Sequence, residues 1–209
     1  NQAQTTHTYA VAGDYTIKIN GTCVGWQFNN LGDRLKILSI QQWGALRLSN
    51  IGDGYFRGCA NLRLTSVSDL LQLNGLTSLR LAFSGCTSLG VINKSNEWDL
   101  TTITNMNSTF EASNFNGLCS NWNVSNVTSW NSTFFNNPSF NQPIGSFDMR
   151  KATTIVSMLQ NSTAFNQNLG AWNLENLTTA TNFLGGKTPA TFSTTNLNAI
   201  YNGWSRKTL

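Results

Sequence analysis

The sequence predicts a repeat solenoid, with a parallel β-sheet that takes one short strand from each repeat of roughly 24–27 residues. A phenylalanine or leucine, called the anchor here, recurs once in every repeat. An apolar residue lies ten positions before every anchor. From the second repeat on, a threonine lies six positions before it. Self-similarity of this kind is typical of stacked repeats that bury a core together. The anchors are Phe56, Phe83, Phe110, Phe134, Leu159 and Leu184, and the threonines are Thr77, Thr104, Thr128, Thr153 and Thr178.

The segment before the repeats, 1–34, has two parts. Residues 1–6 read as a polar linker, and residues 7–34 as an N-terminal β cap. Tyr15, Ile17 and Ile19 alternate with polar residues, which predicts a strand. The Asn20-Gly21 turn signal and an apolar segment at 23–28 follow, so we expect a β-hairpin that covers the first repeat.

Residues 35–192 form the predicted repeat region. Each repeat contains an apolar-polar-apolar triplet such as Trp98-Asp99-Leu100, which predicts a short strand with its outer members facing the core. The few residues left for each return leg predict one short helical or 3₁₀ turn. Residues 193–209 are the predicted C-terminal cap helix, because Leu197, Ile200 and Trp204 lie at helical spacing.

Composition excludes several classes of partner. Charged residues make up 11% of the chain and the formal net charge is +4, without a dense Lys/Arg stripe, so we expect no nucleic-acid partner. No apolar stretch approaches the ~20 residues of a membrane span, so we expect no membrane insertion by these residues. The chain begins Asn-Gln-Ala-Gln without Met, and we interpret it as part of a longer protein.

We predict neither a cofactor nor an enzyme. The four cysteines form no CxxC pair and a single histidine, His7, accompanies them, so a zinc site is not expected. No nucleophile, base and acid set can be assembled around His7. Cys59 and Cys86 each lie three positions after an anchor and should stack on neighbouring repeats. Buried free thiols are favoured there over a disulfide.

Several motifs resemble the BspA-type leucine-rich repeats of surface proteins. Phe140-Asn141-Gln142-Pro143-Ile144-Gly145 and Trp122-Asn123-Val124-Ser125-Asn126-Val127-Thr128 resemble the repeat unit of that family. The segment from His7 to Ile19 is similar to the last strand of a PKD-type β-sandwich. The resemblance implies an adhesin-like module on a bacterial cell surface, in a virion or at a fibre tip. It implies an extracellular location, but no binding residue that could be transferred.

The outward columns of the predicted sheet are the candidate binding face, because a stacked sheet presents a rigid row of side chains. We expect this face to bind a cell-surface glycan or protein. The alternative is a structural spacer or stalk domain without a ligand of its own. The threonine column is expected to bond backbone groups between repeats, with ice binding as a weaker alternative. The candidate ligand-binding residues are Arg47, Gln72, Asn74, Asp99, Asn123, Asp148, Arg150 and Asn173.

Overall fold

The computed structural model of the protein describes residues 7–204. Strand β1 spans Cys23–Val24 and strand β2 spans Leu46–Arg47, and the two pair in parallel. A single 3₁₀ turn covers Ser95–Glu97, and helix α1 covers Thr194–Trp204. The predicted linker, residues 1–6, lies outside the described residues, as do residues 205–209 of the predicted cap helix.

The predicted fold class is wrong. Between residues 7 and 204 the structure contains two very short strands, one 3₁₀ turn and one α-helix, and the rest consists of turns and loops. It is therefore not a solenoid with one strand of a parallel β-sheet and one helical return leg in each repeat. The predicted N-terminal β-hairpin is also wrong, because β1 pairs in parallel with β2 and residues 7–22 are exposed and belong to no strand.

The triplets that predicted the strands do not pair with one another. The N–H of Trp122 donates to the carbonyl of Cys119, and the N–H of Val127 donates to that of Val124, so these bonds stay inside one repeat. Neighbouring repeats instead meet in isolated parallel bridges at the residue five positions before the anchor. These bridges join Ser78, Asn105, Ser129, Thr154 and Thr179 in succession.

Backbone hydrogen bonds between repeats are concentrated in the segment around each anchor. Alternate residues of this segment donate their N–H groups to carbonyls of the next repeat, and we call this pattern the donor ladder. In one repeat the donors are Met106, Ser108, Phe110 and Ala112, the acceptors are Ser129, Asn131, Thr133 and Phe135, and the N···O distances are 2.8–2.9 Å.

Residues with a left-handed backbone conformation prevent the donor ladder from forming a β-sheet. The residue two positions before each anchor has φ between +53° and +73°, and the residue two positions after it has φ between +49° and +77°. A β-strand needs φ near about −120°, so a left-handed residue at every fourth position breaks the pleat even though neighbouring backbones are bonded. The residues are Gly54, Leu81, Ser108, Ser132, Ser157 and Asn182 before the anchor, and Gly58, Gly85, Ala112, Asn136, Asn161 and Gly186 after it.

The core is a continuous stack of aromatic and aliphatic side chains. The rings of Phe83, Phe110 and Phe134 follow one another at 5.6 and 5.8 Å, and Trp98 stacks on Trp122 at 5.9 Å. Trp122, an outer triplet member that was expected to face the core, is 5% exposed, and the anchor Phe134 is 0% exposed. Burial of such large side chains is the main stabilising contribution available to this chain.

Helix α1 packs against one end of this core. The indole of Trp204 stacks on that of Trp172 at 6.1 Å. The helix approaches the loop at residue 170 so closely that a Cβ on Gly203 would overlap the Gly170 carbonyl oxygen. Ser193 precedes the helix, and its Oγ accepts the N–H of Asn196 at 3.3 Å, as an N-cap does.

Candidate functional site

The predicted binding residues of the later repeats lie on one face, at equivalent positions. Asp99 and Asn123 are exposed and Asp148 and Asn173 are half-buried, and each lies between two buried apolar neighbours. The predicted inward-outward alternation of the triplets is therefore present at the level of side chains, although the triplets form no sheet.

The two predicted columns are bonded to each other. Asp99 Oδ1 accepts hydrogen bonds from the N–H of Thr101 at 3.0 Å and from its hydroxyl at 2.6 Å. Asn123 accepts the same two bonds from Ser125, at 3.2 and 2.8 Å. The bonds from Thr101 lower the pKa of Asp99. Each Asp or Asn therefore closes a local turn, in the way that these residues do in Asx turns.

Asp148 and Arg150 form the charged version of this turn. Arg150 donates its Nε to Oδ1 at 2.9 Å and a guanidinium nitrogen to Oδ2 at 2.6 Å, so the contact is bidentate. The hydrogen bond lowers the pKa of Asp148 and raises that of Arg150. The side chain of Arg150 is 61% exposed and that of Asp148 is 32% exposed, so the pair is held in place and still accessible.

An open hollow of about 390 Å³ lies beside this ion pair. Lys151, at its edge, donates to Asn126 Oδ1 at 2.6 Å, and Asn176 donates its amide to the Arg150 carbonyl at 2.7 Å. The lining residues are Ser125, Asp148, Arg150, Lys151, Glu175 and Asn176.

The structure brings together part of the predicted site and adds to it. Asp148 and Arg150 line the hollow, whereas Arg47, Gln72 and Asn74 belong to the first two repeats and do not. Sequence reasoning missed Lys151 and Asn176, and it placed Glu175 in the outward columns without making it a candidate ligand-binding residue. The concentration of charge at 148–151, in a chain with few charges, could have indicated Lys151.

The column threonines occupy equivalent positions in successive repeats and bond neighbouring repeats to each other. The expected backbone hydrogen bond of Thr128 is confirmed, since its hydroxyl donates to the Thr104 carbonyl at 3.2 Å. Thr153 and Thr178 repeat this contact at 3.0 and 2.8 Å. Since these hydroxyls are directed at protein carbonyls, the structure does not favour the ice-binding alternative.

A second polar column, made of asparagines, also joins neighbouring repeats. Asn141 donates its backbone N–H to Asn116 Oδ1 at 3.0 Å, and Asn166 donates to Asn141 at 2.9 Å. Asn166 in turn accepts the amide of Asn196 in α1 at 2.9 Å. These asparagines therefore connect one repeat to the next and the last repeat to α1.

The cysteines and acidic residues offer little reactive chemistry. Cys59, Cys86 and Cys119 are free and buried, and burial raises the pKa of both Cys59 and Cys119 to about 12. Within residues 7–204, no three His, Cys, Asp or Glu side chains form a group that could hold a metal ion. No helix in that range is both long and apolar enough to cross a membrane.

Sequence comparison assigns the chain to a family. Residues 77–198, more than half of the chain, match the model of a family described as "Mycoplasma protein of unknown function, DUF285". The chain belongs to the DUF285 family. The DUF285 match begins at Thr77, the first member of the threonine column, and ends inside α1, so it contains the hollow. No curated protein and no solved structure matches the chain.

Proposed function

We propose that this DUF285 protein is a recognition module that binds a cell-surface protein or glycan through the face around the 148–176 hollow. The observation that carries the proposal is the accessible, pre-oriented Asp148–Arg150 pair beside Lys151 and Glu175. Side chains already fixed in position need not be ordered when a ligand binds, which lowers the entropic cost of recognition.

The chemistry of the hollow favours a polar ligand. Carboxylate, guanidinium, ammonium and amide groups line it, and these groups make directional hydrogen bonds with hydroxyls, carboxylates and peptide groups. The tryptophans of the described chain are buried or half-buried, so this face presents no indole on which a sugar ring could stack. A glycan bound here would therefore be held by its hydroxyl and carboxylate groups.

An extracellular location is part of this proposal. It is supported by the resemblance of the repeat motifs to those of bacterial surface proteins. The polar, sparsely charged surface also fits a module whose contacts rely on hydrogen bonds.

The test is binding of the labelled protein to a glycan array and to whole cells. Arg150→Gln combined with Lys151→Gln removes both cationic groups of the hollow. We expect this variant to lose at least about tenfold in affinity, the loss typical when charge-assisted hydrogen bonds to a ligand disappear.

The matched control is Arg80→Gln. Arg80 also forms an exposed ion pair, with Asp53 at 3.0 Å, but it does not line the hollow. Binding by the Arg80 variant should equal that of the unmodified protein. A loss of binding that is the same in both variants would mean that net charge, and not the hollow, governs attachment.

A structural spacer is the second candidate, and one observation favours it. The side chains of the candidate face are engaged inside the protein: Asp99, Asn123 and Asp148 each accept bonds from a residue two positions on. A face with its hydrogen bonds satisfied internally can serve as an inert surface. Absence of binding to all cells and glycans tested would support the spacer.

A further inference from the structure

The donor ladder has an open end. In every repeat from the second to the fifth, four alternate N–H groups donate to carbonyls of the following repeat. In the fifth repeat the donors Ile155, Ser157, Leu159 and Asn161 reach the carbonyls of Thr179, Thr181, Phe183 and Gly185 at 2.9–3.0 Å. The equivalent N–H groups of the last repeat have no acceptor among the described residues, 7–204. They belong to Ala180, Asn182, Leu184 and Gly186.

None of the four residues that carry these groups is buried. Asn182 and Gly186 are exposed, and Ala180 and Leu184 are half-buried. Helix α1 covers a different part of the last repeats, since Phe192 packs on Phe165 at 6.4 Å and Trp204 packs on Trp172 and Phe183. The segment 178–186 is therefore a backbone edge with a row of free donors.

An unpaired carbonyl acceptor also lies at one end of this row of donors. In the earlier repeats the carbonyl of each column threonine accepts the N–H and the hydroxyl of the next threonine, as Thr153 does from Thr178 at 2.9 and 2.8 Å. The carbonyl of Thr178 has no such donor within the described chain. The edge thus offers one acceptor followed by four donors, in a fixed order.

We infer that this edge, residues 178–186, binds a peptide segment of another protein through its backbone. The inference rests on the hydrogen-bonding pattern of the edge, because its free N–H donors alternate along the chain as they do along an unpaired β-strand. Unpaired strand edges are templates for pairing with a further peptide segment. A single small anion could reach at most two of the free donors. The inference does not depend on the ligand of the hollow.

The partner's side chains can also be specified. In every repeat from the second to the fifth, the residues four positions before the anchor and at the anchor are buried and apolar, as Ile155 and Leu159 are. Ala180 and Leu184 occupy these positions in the last repeat and are half-buried. A segment that covers them should carry two apolar residues four positions apart, and a residue that tolerates positive φ between them.

The first measurement is amide hydrogen exchange by NMR on the full chain. We expect the amides of residues 180, 182, 184 and 186 to exchange at least about tenfold faster than those of residues 155, 157, 159 and 161, because only the second set is hydrogen-bonded. Equal protection of the two sets in the free protein would overturn the inference.

The second measurement is a titration with a synthetic peptide of residues 153–163, which contains the four carbonyls that accept from the preceding repeat. We expect shifts and slower exchange at the four free amides, and no such response to a scrambled peptide. A response that inorganic phosphate reproduces would indicate an anion site. Protection that appears with protein concentration alone would indicate a second copy. No response to the peptide, or either of these two results, would overturn the inference.

A pair of proline variants provides the matched control. Ala180→Pro removes a free donor, so peptide affinity should fall several-fold while the melting temperature changes little. Ile155→Pro removes the equivalent donor, which is bonded to the Thr179 carbonyl at 3.0 Å, and should lower the melting temperature. If both variants are equally destabilised, the exchange and titration results on the unmodified chain decide.

Discussion

Single side-chain acceptors connect the repeats at the residue scale. Asn131 is an example: its Oδ1 accepts the N–H of Val156 at 3.0 Å and also the hydroxyl of Thr154 in the next repeat. Thr128 is a contrasting case, because its hydroxyl shares the Thr104 carbonyl with its own N–H. The two residues therefore differ in what their removal would leave unpaired.

We expect Asn131→Ala to cost about 1–3 kcal/mol in the free energy of unfolding, because two half-buried donors lose their acceptor. Thr128→Val should cost less than about 1 kcal/mol, because the Thr104 carbonyl keeps the Thr128 N–H at 2.9 Å. Urea unfolding of the two variants measures the difference. Equal costs would show that the threonine hydroxyls contribute more than their geometry indicates.

The sequence predicted part of this residue-scale picture. The burial of Trp122 followed from its alternation with Asn123 and Val124, and the bonding of Thr128 followed from the unbroken threonine column. The turn-closing role of Asp99 and Asn123 was missed, although an Asp or Asn followed two positions later by Thr or Ser is a local signal for it. The ion pair of Asp148 with Arg150 has the same spacing.

At the scale of elements, the segment around each anchor takes the place of the predicted strand. Alternation predicted correctly which side chains of each triplet are buried, but it could not show which backbone groups pair, since that depends on how repeats are offset. The residue types at the positions with left-handed backbone conformation also gave little indication of that conformation. Glycine would have marked them, whereas several are Leu, Ser or Ala, as at Leu81, Ser132 and Ala112.

Substitution at Ser132, where φ is +55°, tests the left-handed geometry. A β-branched side chain is strongly disfavoured at positive φ, so Ser132→Val should cost about 1–2 kcal/mol in unfolding free energy. Ser132→Gly should be within about 1 kcal/mol of the unmodified protein, because relief of strain offsets the greater freedom of the unfolded chain. Thermal or urea unfolding gives both values.

Ser120 is the control position, because it is exposed and is not among the residues with positive φ. At Ser120 the order of the two unfolding free energies should reverse, so that the valine variant is at least as stable as the glycine variant. If valine is tolerated equally at both positions, Ser132 does not require the left-handed conformation in solution.

At the scale of the whole molecule, the stacked rings make the stability of each repeat depend on its neighbours. The ring of Phe134 stacks on that of Phe110 in the preceding repeat at 5.8 Å and on that of Phe140 at 3.8 Å, and Phe134 is fully buried. Leu184 holds the same position in the last repeat but is half-buried. The sequence period placed all six anchors correctly in one column, which is why the core was predictable while the sheet was not.

We expect Phe134→Ala to lower the free energy of unfolding by about 3–5 kcal/mol, because it opens a cavity in the middle of the stack. Leu184→Ala should cost less than about 2 kcal/mol, since part of that side chain is already in contact with water. Chemical denaturation of both variants tests this. Equal losses would mean that Leu184 is covered in solution by a group outside the described residues.

The donor ladder divides every repeat into a part of fixed length and a part of variable length. From the column threonine to the second position past the anchor, the length is constant, because an inserted residue would shift donors and acceptors out of register. The step from Phe110 to Phe134 is shorter than the step from Phe83 to Phe110, and the difference is taken up in the loop between one anchor and the next threonine. Relatives that differ from this chain in length should therefore differ in those loops, or by a complete repeat added or removed.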